Sequence, residues 1–361
     1  MHDVIYRPGR RGGLTRRAFL RGSAALGGAA LLGGCGAESP SGEASPEQAA
    51  TGAEAAPFTF LTILPLASLT FAPELMADAG GYFADQGLNV SFQVTRGSPQ
   101  AIQLVLAGRS PLTRISQIEG MRAAANRAAP VMNVGMVLKE STIRFVSSEK
   151  RALRRPEDFV GATIGIPSEG GSSETELDLF LAASGIDPES VQRQVVGLTP
   201  GVFNLVEQGR LAGYAVSIDT AKILEQQQPG VVVFNPGEFM ASGGQFYMTS
   251  KDGFAANRGD IAKYLDAVRA ALDFMINDDG FDRTLEIMRR KYSFDGLNDT
   301  AIAKESLAEY VRIWTAAGRE SLLVTLPERW TRGYEELVNA GLAEPGATPD
   351  AWYTNELVRE A

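Results

Sequence analysis

The sequence predicts an α/β protein built as two lobes, and three observations carry that prediction. Apolar runs of strand length alternate with amphipathic runs of helix length from Phe58 to Phe234. The alternation restarts near Thr163. A helix-glycine-arginine-strand-serine unit also occurs twice, from Gly108-Arg109 to Ser116 and from Gly209-Arg210 to Ser217, with the same spacing.

Element by element, 58–64 reads as a strand. A helix follows over 72–86, with Leu75, Met76, Ala79, Tyr82 and Phe83 on one face and Gly87 as its stop. Leu88, Val90, Phe92 and Val94 alternate as a strand does. Pro99 opens a helix closed by Gly108, and a short strand at 112–115 leads into a helix over 117–127. Strands at 131–138 and 143–147 end the first round. In the second round, strands at 163–166, 191–196, 213–216 and 231–234 alternate with helices at 172–184, 201–208 and 219–226. From Asp260 onward the chain reads as helical, with Trp314 and Trp330 as buried anchors. Strands separated by helices imply parallel sheets covered on both faces. Lobe one is expected at 58–144 and 248–361 and lobe two at 145–247, with crossings near 145–148 and 244–247.

The N-terminal part has a different character. Thr15-Arg16-Arg17-Ala18-Phe19-Leu20 resembles a twin-arginine export signal, and Leu32-Gly33-Gly34-Cys35 resembles a bacterial lipobox. The stretch between them is too short and too weakly apolar to be a permanent span. Residues 1–34 are therefore expected to be a cleaved leader, with Cys35 lipidated and holding the chain at the outer face of the membrane. Cys35 is the single cysteine, so an intramolecular disulfide is excluded. Residues 35–57, rich in Ala, Glu, Ser, Gly and Pro, read as a flexible tether. The whole chain carries a formal charge of −9, and removing the arginine-rich leader makes the remainder more acidic still. Such a body argues against nucleic acid as a partner, and a monomer is expected.

The single histidine, His2, lies in the leader. A mature chain without imidazole has no Ser-His-Asp triad, no His-based acid–base catalysis and no His-ligated metal. No catalytic residue, metal or cofactor is expected. Binding has better candidates. Gly170, Gly171, Ser172 and Ser173 follow a strand and open a helix, so backbone N–H groups and hydroxyls there can meet an anion or the acceptor nitrogens of a heterocycle. Glu169 in the same loop disfavours a bare anion, and the serines also suit plain helix capping. Three more strand-to-loop switches border the same expected cleft. They offer Thr70 and Phe71, Gln117 and Glu119, and Ser217 and Asp219. Phe71 either stacks on a flat ring or joins the core. Glu119 and Asp219 either accept from ligand N–H groups or serve their helix dipoles. Gly243, with Gly244, is expected at the hinge and cleft floor.

The run Phe71-Ala72-Pro73-Glu74-Leu75-Met76-Ala77-Asp78-Ala79-Gly80-Gly81-Tyr82-Phe83-Ala84-Asp85-Gln86-Gly87-Leu88-Asn89-Val90 resembles the opening of substrate-binding proteins of ABC importers. The group in question serves nitrate, taurine, alkanesulfonates and thiamine pyrimidine precursors. Arg155-Pro156-Glu157-Asp158-Phe159-Val160-Gly161, Ala340-Gly341-Leu342 and Trp352-Tyr353-Thr354-Asn355-Glu356 extend the resemblance. It implies a type II periplasmic-binding-protein-like fold, with two lobes, a hinge and an inter-lobe cleft. It also implies a small-molecule ligand and ABC permease subunits as partners. An aminopyrimidine-like nitrogen heterocycle is the first expectation; a sulfonate, nitrate or other organic anion is the second. One branch of the group is enzymatic, a pyridoxal-phosphate-dependent thiamine pyrimidine synthase that uses histidine and cysteines, whereas this sequence has only His2, in the leader, and Cys35, the expected lipidation site. The family's aspartates after each helix-ending glycine are replaced here by 110–112 and 211–213, which puts local strand geometry in question.

Overall fold

A computed structural model describes residues 55–359; the leader, Cys35 and most of the expected tether lie outside the described residues. In chain order the strands are β1 (Ala56–Thr62), β2 (Leu88–Val94), β3 (Leu112–Ser116), β4 (Val131–Leu138), β5 (Ile143–Ser148), β6 (Thr163–Ile166), β7 (Gln192–Val195), β8 (Gly213–Ser217), β9 (Val231–Phe234) and β10 (Gln245–Ser250). They form two five-stranded sheets, ordered β2-β1-β3-β10-β4 and β7-β6-β8-β5-β9.

In each sheet the first three strands are parallel and the next is antiparallel to both neighbours. The expectation of wholly parallel sheets is corrected by β5 and β10. These two strands arrive from the other sheet rather than through a helical crossover, so the handedness constraint that makes βαβ strands parallel does not act on them. The repeated unit occupies equivalent places. Strands β3 and β8 stand third in their sheets; Gly108 and Gly209 precede them at φ 67° and 71°. Ser116 and Ser217 each cap a following helix, Gln117–Arg127 and Ile218–Gln227, by accepting a backbone N–H.

The helix expected over 72–86 is broken into Ala72–Ala79 and Tyr82–Asp85. Gly81 adopts φ 82°, a left-handed geometry that stops the first helix and restarts the chain. The apolar stripe survives the break, because Leu75, Met76 and Phe83 are all buried. Tyr264, from the helix Lys251–Asn277, stacks on Phe58, Phe60 and Phe83 with ring centroids 4.9–5.2 Å apart. Phe145, Phe159, Phe180 and Phe234 form the matching aromatic cluster at the second sheet. Alternation along β5 sends Phe145 to that cluster and Val146 to a separate one with Phe203, Leu211 and Tyr214. Trp314 and Trp330 are buried, as their expected role as anchors requires.

The chain leaves the first sheet after Leu138 and enters the second at Ile143; it returns between Phe234 and Gln245. The two connecting segments touch. A Cβ on Gly243 would lie 2.6 Å from Ser141 Cβ and 2.8 Å from Ser141 N, so only glycine allows this approach. Among the described residues no helix is long and apolar enough to cross a membrane.

Candidate functional site

The carboxyl ends of parallel strands from both sheets open on one cleft of about 500 Å³. Residues beyond β1 (Ile63 to Phe71) and β2 (Gly97, Ser98) form one wall. Those beyond β6 (Pro167, Ser168, Ser172, Ser173), β7 (Val196 to Pro200) and β8 (Asp219, Thr220, Ile223) form the other. This is the edge at which open α/β sheets bind ligands, because strand ends stop there and loops take over. Thr142, Gln245 and the turn Phe294-Asp295-Gly296 complete the lining.

The floor of the first wall rests on a buried ion pair. Arg114, in β3, and Glu74, in the helix Ala72–Ala79, are both fully buried and meet at 2.9 Å. The remaining Arg114 donors reach Gln245 Oε1 at 2.8 Å and the Thr70 carbonyl at 2.8 Å, and its guanidinium lies 5.2 Å from the Phe71 ring centre. Tyr247 donates its hydroxyl to Glu74 at 2.7 Å. Thr70, Phe71 and Gln245 all line the cleft, so one guanidinium sets the positions of three lining residues.

Three further carboxylates lie at the seam between the walls. Glu119 accepts from the hydroxyls of Thr175 and, at 3.1 Å, Ser172. Burial pushes its carboxyl up, while the Thr175 and Ser172 hydroxyls act against that shift. Asp219 accepts from Ser68 at 2.8 Å, and its carboxyl is likewise raised by burial. A Cβ on Gly296 would come within 2.7 Å of Asp219 Oδ2, so the glycine lets that turn close over the carboxylate. Glu176 accepts from Ser141. Burial first, and then the nearby charge of Glu119, push the Glu176 carboxyl up to about 8.

Of the residues singled out from sequence, Thr70, Phe71, Ser172, Ser173, Ser217 and Asp219 line the cleft. Phe71 is 1% exposed and packs mainly as core. Glu119 stands behind the lining, holding Ser172 in place. Gly170, at φ 65°, gives its N–H to Glu174, and Gly171 packs against Ser168, so this turn is shaped largely by its own contacts. Gln117 and Gly243 lie outside the cleft at the connecting segments: Gln117 N–H donates to the Gly244 carbonyl, and Gly243 meets Ser141. Sequence reasoning missed Glu74, Arg114, Thr175, Glu176 and the 294–296 turn. Arg114 carried a usable signal, because an arginine between apolar strand residues needs a buried partner. Nothing local indicated which acid that partner would be.

Comparison with known proteins agrees with this architecture. Residues 68–279 match the family model described as NMT1/THI5 like, and the chain belongs to that family. It is similar to the riboflavin-binding protein RibY of Chloroflexus aurantiacus, 25% identical over 300 residues, which are 81% of this chain and 84% of that protein. A formylaminopyrimidine-binding protein of Halalkalibacterium halodurans is 24% identical over 208 residues, 56% of this chain and 62% of its own. Among solved structures, the alkanesulfonate-binding protein SsuA of Xanthomonas axonopodis pv. citri, bound to MOPS, has a TM-score of 0.65 at 14% identity. The match covers 84% of this chain and 99% of that one. The fold is that of periplasmic binding proteins.

Replacing Glu74 by Gln strands a buried guanidinium and is expected to cost about 3–5 kcal/mol in denaturant unfolding. Combining Glu74→Met with Arg114→Met removes both charges and is expected to recover part of that loss. Additive single-site losses in the double variant would refute a coupled pair. The Glu176 carboxyl keeps its proton in the folded state to about 8, against 4.5 ordinarily. Between those values the folded state binds more protons than the unfolded chain, so stability falls as pH rises. Glu176→Gln is expected to flatten that fall, measured as unfolding free energy at pH 5, 6.5 and 8; an unchanged slope would exclude Glu176 as its source.

Proposed function

We propose that this chain is the extracytoplasmic substrate-binding component of an ABC importer and captures a flat nitrogen heterocycle bearing N–H donors. The observation that carries the ligand class is the charge of the cleft. Among the described residues that line it the charged ones are Asp219 and Asp295, with no lysine or arginine. A sulfonate or nitrate would meet two acids and no cation, whereas N–H donors find carboxylate and hydroxyl acceptors. Apolar side chains such as Leu64, Val196, Leu198 and Ile223 suit the faces of a ring system. The names of the two relatives, riboflavin-binding and formylaminopyrimidine-binding, belong to the same ligand chemistry.

In this reading Thr70, Ser172, Ser173, Ser217 and Asp219 contact the ligand. The two sheets mark two lobes that close over it about the paired connecting segments, and the closed form is read by permease subunits. The chain binds without turnover, since its histidine and cysteine both fall in residues 1–35. Cys35 carries the lipid that keeps it at the membrane.

Thermal unfolding of the protein with riboflavin, an aminopyrimidine, an alkanesulfonate or nitrate tests the ligand class. A ligand at a hundred times its dissociation constant stabilises by about 2.7 kcal/mol. Stabilisation by the heterocycles alone is expected, and Asp219→Asn is expected to weaken their binding about tenfold or more. Stabilisation by the anions alone would overturn the assignment. For the anchor, Cys35→Ala is expected to move the exported protein from the membrane to the soluble fraction; continued membrane association would argue against lipidation.

A further inference from the structure

A second, much smaller concavity lies apart from the cleft, where the chain leaves β4. Lys139, Arg329, Met136, Ala241 and Leu326 are among its lining residues, and its volume is about 20 Å³. That is room for one water-sized sphere or one monatomic ion, and too little for a phosphate, a sulfonate or a ring.

Gln117 and Thr325 also line it, the Thr325 hydroxyl accepting from Asn133, and its ionisable residues are both cationic. Lys139 is 4% exposed, and its Nζ meets no hydrogen-bond partner among the described residues. Burial first, and then the positive charges of Arg329 and Arg269, hold that ammonium down at about 8. Arg329 gives one N–H to the Lys139 carbonyl at 3.2 Å and forms no ion pair among the described residues. The helix Pro327–Asn339 begins at the same place, and its N-cap Leu326 supplies no side-chain acceptor, so the positive end of the helix dipole adds to the two cations. The nearby acids are engaged elsewhere or exposed. Glu336 accepts from the Ala241 N–H and the Ser242 hydroxyl, and Glu328 is exposed. A buried ammonium facing a guanidinium with no counter-charge is an unfavourable arrangement by itself.

We propose that this concavity binds a monatomic anion of the size of chloride, held by Lys139 Nζ, the Arg329 guanidinium and the first turn of the helix Pro327–Asn339. The anion supplies the counter-charge that the protein does not. Its position gives it a second effect. Lys139 opens the segment running from the first sheet to the second, and Ala241 lies in the segment running back. A bound anion therefore ties the helix to the outgoing segment at Lys139, beside the returning segment that Glu336 of the same helix already holds through Ala241 and Ser242. A single water fits the space but leaves the positive ends unneutralised.

Thermal unfolding of the full chain in sodium chloride and in sodium gluconate at matched ionic strength tests the site, gluconate being too large to enter. A saturable rise in Tm with chloride and none with gluconate is expected, and Lys139→Met is expected to abolish the chloride dependence. Equal Tm in the two salts would overturn the proposal, and so would chloride dependence that survives in Lys139→Met. Should that variant fail to fold, wild-type crystals soaked in bromide decide the matter. An anomalous peak beside Lys139 Nζ and Arg329 supports the site, and a featureless concavity in the bromide map refutes it.

Discussion

Arg114 and Glu74 meet in a region that water does not reach, and the geometry of the binding wall depends on how that pair is satisfied. A guanidinium with five donors cannot be buried against apolar neighbours, so each donor direction must find an acceptor. Glu74, Gln245 and the Thr70 carbonyl supply them, and Tyr247 occupies part of the Glu74 carboxylate in turn. These groups come from β3, from the helix after β1, from β10 and from the loop that forms the cleft wall. Because a planar guanidinium holds its donors in a rigid fork, small displacements of any one element would break a charge-assisted bond in a low-dielectric setting. The wall is therefore positioned by the core beneath it.

The seam between the walls is built on a different principle. Glu119, Asp219 and Glu176 are buried there without direct ionic partners and accept from serine and threonine hydroxyls. A hydroxyl is a weak partner that water can replace on exposure, whereas separating a buried ion pair would leave two charges to be resolvated. Of the three, Asp219 alone lines the cleft; Glu119 and Glu176 lie behind its lining. Rigid ionic pairing lies behind the wall, and exchangeable hydroxyl–carboxylate contacts lie across the seam.

Much of the scaffold was legible in the sequence. The alternation of apolar runs located nine of the ten strands within a residue or two, because period-two burial is written locally in each strand. The repeated glycine-to-serine unit marked the third strand of each sheet, since a helix stop and a helix cap both depend on a few adjacent residues. The glycine pair at 80–81 was read through as helix; a left-handed turn there needs only one residue, and the apolar stripe continues past it. Strand β10 went unread because its residues were taken for a crossing, and its antiparallel course follows from where the chain comes from. Within the site, Thr70, Ser172, Ser217 and Asp219 could be marked because strand-to-helix switches border clefts in this class of sheet.

The sequence by itself determined the α/β class, the strand–helix order, the family and the placement of polar residues at strand ends, all of which follow from local periodicity and short motifs. Tertiary structure alone decided which charges meet. Glu74 and Arg114 are distant in the chain and meet because the helix after β1 packs on the first sheet, whereas Asp219 and Ser68 meet because the ends of the two sheets face each other. It also decided that Glu119 supports the cleft from behind while Asp219 faces it, although both follow a capping serine in matching units. Local sequence sets the turn a residue sits on; the environment that shifts its charge, or leaves it without a partner, is set by whatever folds against it.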